Sequence, residues 1–125
     1  MSLFHDVGET RSGNMNLLQQ IYVSVDEKQI WNDIEKLSPL AKKMYELYKE
    51  FVEGKTPESI LTKDACTLEL LLFLKEQHDL GNPRAKEWFD NAKKWIQTDE
   101  GEKFADEIEN TKADEWWKRR FGVHK

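Results

Sequence analysis

Only one cysteine, Cys66, occurs in the 125 residues. No disulfide can form within the chain, which fits a reducing, cytoplasmic compartment. No apolar run is long enough to cross a bilayer, and Met1-Ser2-Leu3 has neither the basic start nor the apolar stretch of a secretory signal. A membrane partner is therefore not expected. Lysine and arginine number 19 against 24 aspartates and glutamates, for a net charge of -5, and the basic residues are not clustered. Meeting nucleic-acid phosphates needs such clusters, so no nucleic-acid partner is expected either. The basic run Lys118-Arg119-Arg120 is short and reads as a solvated helix end. Repeats, low-complexity tracts and linkers are missing. Period-two alternation is confined to Ile21-Tyr22-Val23-Ser24-Val25.

What remains is helical periodicity in a chain long enough to bury roughly two thirds of its unfolded surface. Residues 1–7 read as the tail of a helix ended by Gly8, residues 8–14 as a polar loop, and residues 15–22 as a short helix. Ile30, Ile34 and Leu37 recur at helical spacing. Ser38-Pro39 then supplies a start signal for Leu40, Met44, Leu47 and Phe51, with Gly54 as the stop. Thr56-Pro57 opens a long helix to about His78, with Thr56 as its cap. Leu68 and the run from Leu70 to Leu74 leave that helix almost no polar face, which predicts a central position. Asn82-Pro83 starts a further helix whose stripe is Ala85, Trp88, Phe89, Ala92, Trp95 and Ile96, with both tryptophans expected in the core. Phe104, Ala105 and Ile108 mark another helix, and Trp116, Trp117 and Phe121 a last one. One of Trp116 and Trp117 is expected to pack on the domain and the other to lie at a subunit contact. The fold class expected is all-α, a single compact helical bundle over residues 1–125.

Chemistry concentrates in two stretches. Leu3-Phe4-His5-Asp6-Val7-Gly8-Glu9-Thr10-Arg11-Ser12-Gly13-Asn14 gathers metal-binding and acid–base groups, and Lys63-Asp64-Ala65-Cys66-Thr67-Leu68-Glu69 lies downstream on the long helix. The first resembles the signature of HD-domain metal-dependent phosphohydrolases, closest to the small subgroup that includes 5'-deoxynucleotidases. The second, followed by Glu76-Gln77-His78-Asp79-Leu80-Gly81-Asn82, resembles that subgroup's second block. The second His-Asp pair, His78-Asp79, carries no such implication.

The resemblance implies an HD-type helical bundle and a divalent metal ion (Mn, Co, Mg or Zn) that activates water against a phosphate monoester, nucleoside 5'-monophosphates first. It makes His5 and Asp6 metal ligands, gives Glu9 the orientation of water or substrate, and lets Arg11 touch phosphate. Without a metal, His5-Asp6 reads as a satisfied helix terminus and Arg11 as an exposed loop arginine. Asn14 stands where related nucleotidases carry a catalytic aspartate, and an amide cannot act as a general base. The second block's metal-binding aspartate falls on Cys66. Asp64 does not replace it, because side chains two residues apart on a helix point roughly 200° away from each other. Cys66 is then either a thiolate ligand, for zinc above all, or a small apolar filler. Lys63 is a substrate contact, a cation beside the thiol, or a snorkelling lysine. His5 and Asp6 are expected to face the long helix around Cys66.

In that family a further histidine and an arginine come from helices preceding the His-Asp motif, and only four residues precede His5 here. The chain is thus expected to be a partial HD-type domain, shortened at its N-terminus. An apolar patch around Leu3, Phe4, Val7 and Leu68 would then be covered by a second copy, giving a homodimer. The alternative to a hydrolase is a catalytically inactive remnant of the fold, acting as an oligomeric structural or interaction protein.

Overall fold

The structure, a computed structural model, describes residues 1–122. Among them are eight helices and no strand: α1 (Glu9–Ser12), α2 (Leu17–Tyr22), α3 (Glu27–Glu35), α4 (Ala41–Glu53), α5 (Pro57–Asp79), α6 (Arg84–Lys93), α7 (Asp99–Asn110) and α8 (Glu115–Phe121). Among the described residues no helix is long and apolar enough to cross a membrane. The chain forms two compact units, Met1–Ser59 and Ile60–Lys125.

The first unit closes around Trp31, Ile34 and Ala41, against which Val7, Ile30, Met44, Tyr45 and Tyr48 pack. The Trp31 ring lies 5.4 Å from Tyr45 and 5.3 Å from Tyr48, a tilted aromatic cluster joining α3 to α4. Asp26 caps α3 by accepting the Gln29 N–H at 2.9 Å. Gly54 ends α4 in the left-handed region at φ 64, as expected of a glycine stop. Thr56 and Ser59 cap the start of α5 reciprocally: the Ser59 N–H donates to Thr56 Oγ1 and the Thr56 N–H to Ser59 Oγ. Helix α2 carries an Asn16–Gln19 capping box yet buries no residue, so Leu17, Leu18, Ile21 and Tyr22 all face outward.

Three expectations change here. Residues 2–8 are consecutive turns rather than the tail of a helix, held by bonds such as Phe4 N–H to the Met1 carbonyl and Val7 N–H to the Phe4 carbonyl. Gly8 precedes a helix instead of ending one, with an ordinary right-handed φ of -58. The stop falls to Gly13, at φ 77. Helix α4 starts at Ala41, two residues beyond Pro39, because Ser38 Oγ takes the Leu40 N–H and closes a turn first.

The second unit packs Leu71, Phe89, Ala92, Ile96 and Ala105, flanked by Leu68, Leu70, Leu74 and Ile108. Three small alanines, Ala85 and Ala92 on α6 and Ala105 on α7, are buried there. They allow close backbone approach, so a narrow stripe suffices. Two predictions fail for that reason. Trp88 and Trp95 stay 55% and 49% exposed instead of entering the core, and Trp95 lies beyond the end of α6. Leu72 and Phe73 also face outward, so α5 is not buried on all sides. Of the four residues expected to form an apolar patch, only Leu3 is fully exposed. Phe4, Val7 and Leu68 are half-buried, Val7 against the first unit's core and Leu68 against the second's. Trp116 is exposed and Trp117 half-buried on α8.

Candidate functional site

The turn that carries His5 is tight because the imidazole itself helps to close it: Nδ1 meets the Ser2 carbonyl at 2.8 Å. A carbonyl only accepts, so Nδ1 carries a proton. Phe51 of α4 lies against the ring, centroids 4.7 Å apart, and the side chain is only 15% exposed. Thus fixed, Nε2 sits 3.1 Å from Asp6 Oδ1. The hydrogen bond made by one ring nitrogen sets the role of the other.

This pair opens onto a cleft of about 400 Å³ within the first unit, in the size range of small-molecule sites. His5, Asp6 and Glu9 line one part of it, and Glu27, Ile30, Trp31, Tyr48 and Phe51 line another, with no lysine or arginine among the lining residues. Burial pushes the Glu9 carboxyl up from its ordinary value, the Asp6 carboxylate adds to this, and His5 pulls partly back. Burial also pushes the Tyr48 hydroxyl well up, helped by its hydrogen bond to Glu27. That hydroxyl stays a donor at physiological pH.

Of the sequence-predicted residues, His5, Asp6 and Glu9 come together. Arg11 and Asn14 are exposed and do not line the cleft; the Asp33 carboxyl is held below its ordinary value by hydrogen bonds from Lys36 and then Gln29, with Arg11 the least of the contributions. Lys63 and Cys66 are half-buried on α5, in the second unit. Cys66 is in no disulfide. Among the described residues no three His, Cys, Asp or Glu side chains are gathered as a full metal cage requires. The His5–Asp6 pair by itself fits two positions of a divalent ion's coordination sphere, one imidazole nitrogen and one carboxylate oxygen.

Two features escaped the sequence reading. Glu27 and Tyr48 line the cleft, and the available signal was a carboxylate directly after a capping aspartate. In the second unit Asp64 is 2% exposed and accepts three bonds. They come from the Gln97 N–H and the Thr98 N–H, each at 2.9 Å, and from the Thr98 hydroxyl at 2.6 Å. Thr98 Oγ1 in turn caps α7 by accepting the Gly101 N–H at 3.0 Å. Asp64 thereby anchors the α6–α7 connection, a role announced in sequence only by a threonine ahead of the acidic Asp99-Glu100.

Comparison with known proteins gives one family. The family model of the HD domain matches residues 1–109. No curated protein and no solved structure matches the chain.

Proposed function

Because the chain belongs to the HD-domain family, we propose that it is a metal-dependent phosphohydrolase acting on nucleoside 5'-monophosphates, in the manner of the 5'-deoxynucleotidase-like subgroup. The observation that carries this reading is the His5–Asp6 geometry. With Nδ1 turned to the Ser2 carbonyl, Nε2 faces a carboxylate oxygen of Asp6 3.1 Å away. An imidazole nitrogen and a carboxylate oxygen at that separation are two donor types a divalent ion takes together.

His5 and Asp6 would hold the ion, whose chemistry is to lower the pKa of a bound water and polarise a phosphoryl oxygen. Glu9, with its carboxyl pushed up, holds a proton more readily than an ordinary glutamate and orients water at the cleft. Arg11 as a phosphate contact and Asn14 as a positioning rather than a proton-accepting group belong to the same proposal. So do a homodimer formed through the apolar surface that includes Leu3 and a cytoplasmic location. A sedimenting monomer throughout the micromolar range would overturn the dimer.

A second reading, a catalytically silent HD fold with a structural or interaction role, draws on the incomplete ligand set among the described residues. One experiment separates the two: divalent-metal binding by calorimetry and phosphate release from a panel of nucleoside 5'-monophosphates, on wild type and His5→Ala. The hydrolase reading expects His5→Ala to weaken metal binding and cut phosphate release about 100-fold or more. Wild-type protein that takes up no Mn, Co, Mg or Zn and releases no phosphate leaves the silent fold standing.

A further inference from the structure

We infer that residues 14–25, helix α2 with its two flanks, are a hinged lid on the His5–Asp6 cleft that closes over the uncharged part of a bound nucleotide. The inference rests on the phosphohydrolase reading and goes beyond it by naming the part of the site that moves.

The segment belongs to the longest charge-free stretch of the chain. From Ser12 to Val25 there is no Lys, Arg, Asp or Glu, in a sequence that is 34% charged. It can therefore form no ion pair with the rest of the molecule. Among the described residues each of its hydrogen bonds also stays inside it. Asn16 and Gln19 close their capping box at 3.0 and 2.9 Å, and Gln20 Nε2 donates to the Met15 carbonyl at 2.9 Å. Helix α2 buries no residue, and Leu17, Leu18, Ile21 and Tyr22 are 56% to 81% exposed. The helix thus coheres as a unit that little else fastens, pinned only by the half-buried Met15 and Val25 at its two ends. Elements with so few buried contacts are the ones that open first.

The place of the segment gives that looseness a use. Met15, Gln20, Val23 and Val25 line the cleft, and so does Gly13, through which the chain passes from α1 into the segment. Gly13 has φ 77 and ψ 159, a region essentially reserved for glycine. A Cβ there would meet nothing within 4 Å, so the backbone path, and not crowding, requires the glycine. That is the behaviour of a hinge. His5, Asp6 and Glu9 carry the polar chemistry of the cleft, whereas the segment offers it one amide and three apolar side chains. Such a surface suits the base and sugar of a nucleotide and not its phosphate. Those contacts exist only when the cleft is filled, so a bound nucleotide favours the closed position. Closure then shuts water out around the reacting groups.

The test is limited chymotrypsin digestion of the native protein, with and without Mn and the non-hydrolysable phosphonate analogue of 2'-deoxyadenosine 5'-monophosphate (dAMP). Without ligand the first internal cut should fall within residues 14–25, at Leu17, Leu18 or Tyr22. It should precede any cut at Trp88 or Trp95, which are exposed on or beside the well-packed α6. The analogue at ten times its calorimetric Kd should slow that cut about tenfold, because ligand held by the closed form withdraws the open one. Gly13→Ala, with its fold checked by circular dichroism, should weaken analogue binding about tenfold by straining the hinge. Earlier cleavage at Trp88 or Trp95, or Gly13→Ala binding as tightly as wild type, overturns the inference. Phosphate release from dAMP keeps the two claims apart. Analogue that binds without slowing the cut, in a protein that hydrolyses dAMP, sinks the lid alone. Analogue that slows the cut in a protein that releases no phosphate sinks the hydrolase reading alone. No binding at all overturns both.

Discussion

The two compact units solve the packing problem differently. The first relies on a few large rings, Trp31 with Tyr45 and Tyr48, around a small buried set, and it leaves a cleft of about 400 Å³ and a helix, α2, with nothing buried. The second uses small alanines to bring Leu71 and Phe89 into close contact, and it ties its α6–α7 connection to one buried carboxylate. Large rigid rings pack at angles and leave space, which a ligand site needs. Alanines leave little. Candidate chemistry thus gathers where packing is loose, and order is held where it is tight. Each unit also has a polar group that secures a helix start and can be removed singly, Thr56 in the first and Asp64 in the second, so the contrast can be measured.

The largest effect should come from Asp64→Ala. It strips the acceptor from two backbone N–H groups and one hydroxyl in a site only 2% exposed. A loss of about 3 kcal/mol is expected in urea unfolding. Thr56→Ala, the matching change in the first unit, should cost about 1 kcal/mol. Equal costs would break the contrast between the units.

Much of this was legible in the sequence. Proline and glycine marked helix limits at Pro57, Pro83 and Gly54, because each acts through its own backbone restriction or freedom. The His5-Asp6 motif was legible for the same local reason. What failed depended on partners far along the chain. Trp88 and Trp95 read as core by periodicity, but the buried face of α6 is the narrow stripe of Ala85, Phe89 and Ala92. Asp64 looked like a misplaced ligand because its donors lie 33 and 34 residues away. Glu27 and Tyr48 meet only after α3 and α4 pack. The turns at residues 2–8 were misread because the His5 side chain competes with the backbone for the Ser2 carbonyl.

Gly101→Ala sharpens the picture of the second unit. A Cβ built there would stand 2.7 Å from Asp64 Oδ2 and 2.7 Å from Ile96 Cγ2. Neither neighbour can retreat, one being bonded three times and the other buried. A destabilisation of about 2 kcal/mol is expected despite alanine's better helix propensity. Combined with Asp64→Ala, the penalty should fall below the sum, since the first change removes one of the clashing atoms. Full additivity in denaturation would show that the two residues act separately.

The smallest effect concerns pH, and here the units should differ in sign. In the second unit the Lys93 ammonium, 2.6 Å from Glu109 Oε2, holds that carboxyl below its ordinary value of 4.5. Lys86, at 3.3 Å, adds to this against a modest opposing effect of burial. A lowered folded-state value means stability that is present above pH 4.5 and lost as pH falls further. Glu109→Gln should therefore cost about 0.5 kcal/mol at pH 7, a small amount because the groups are partly exposed. The cost should fade below pH 4.5. In the first unit burial and Asp6 raise Glu9 above 4.5, so its contribution is present below pH 4.5 and lost as pH rises through the folded value. Glu9→Gln should leave stability at pH 7 unchanged or slightly higher. Denaturation curves for both variants at pH 3.5, 5 and 7 check the pair, and a parallel response of the two would mean that the cleft does not crowd its carboxylates.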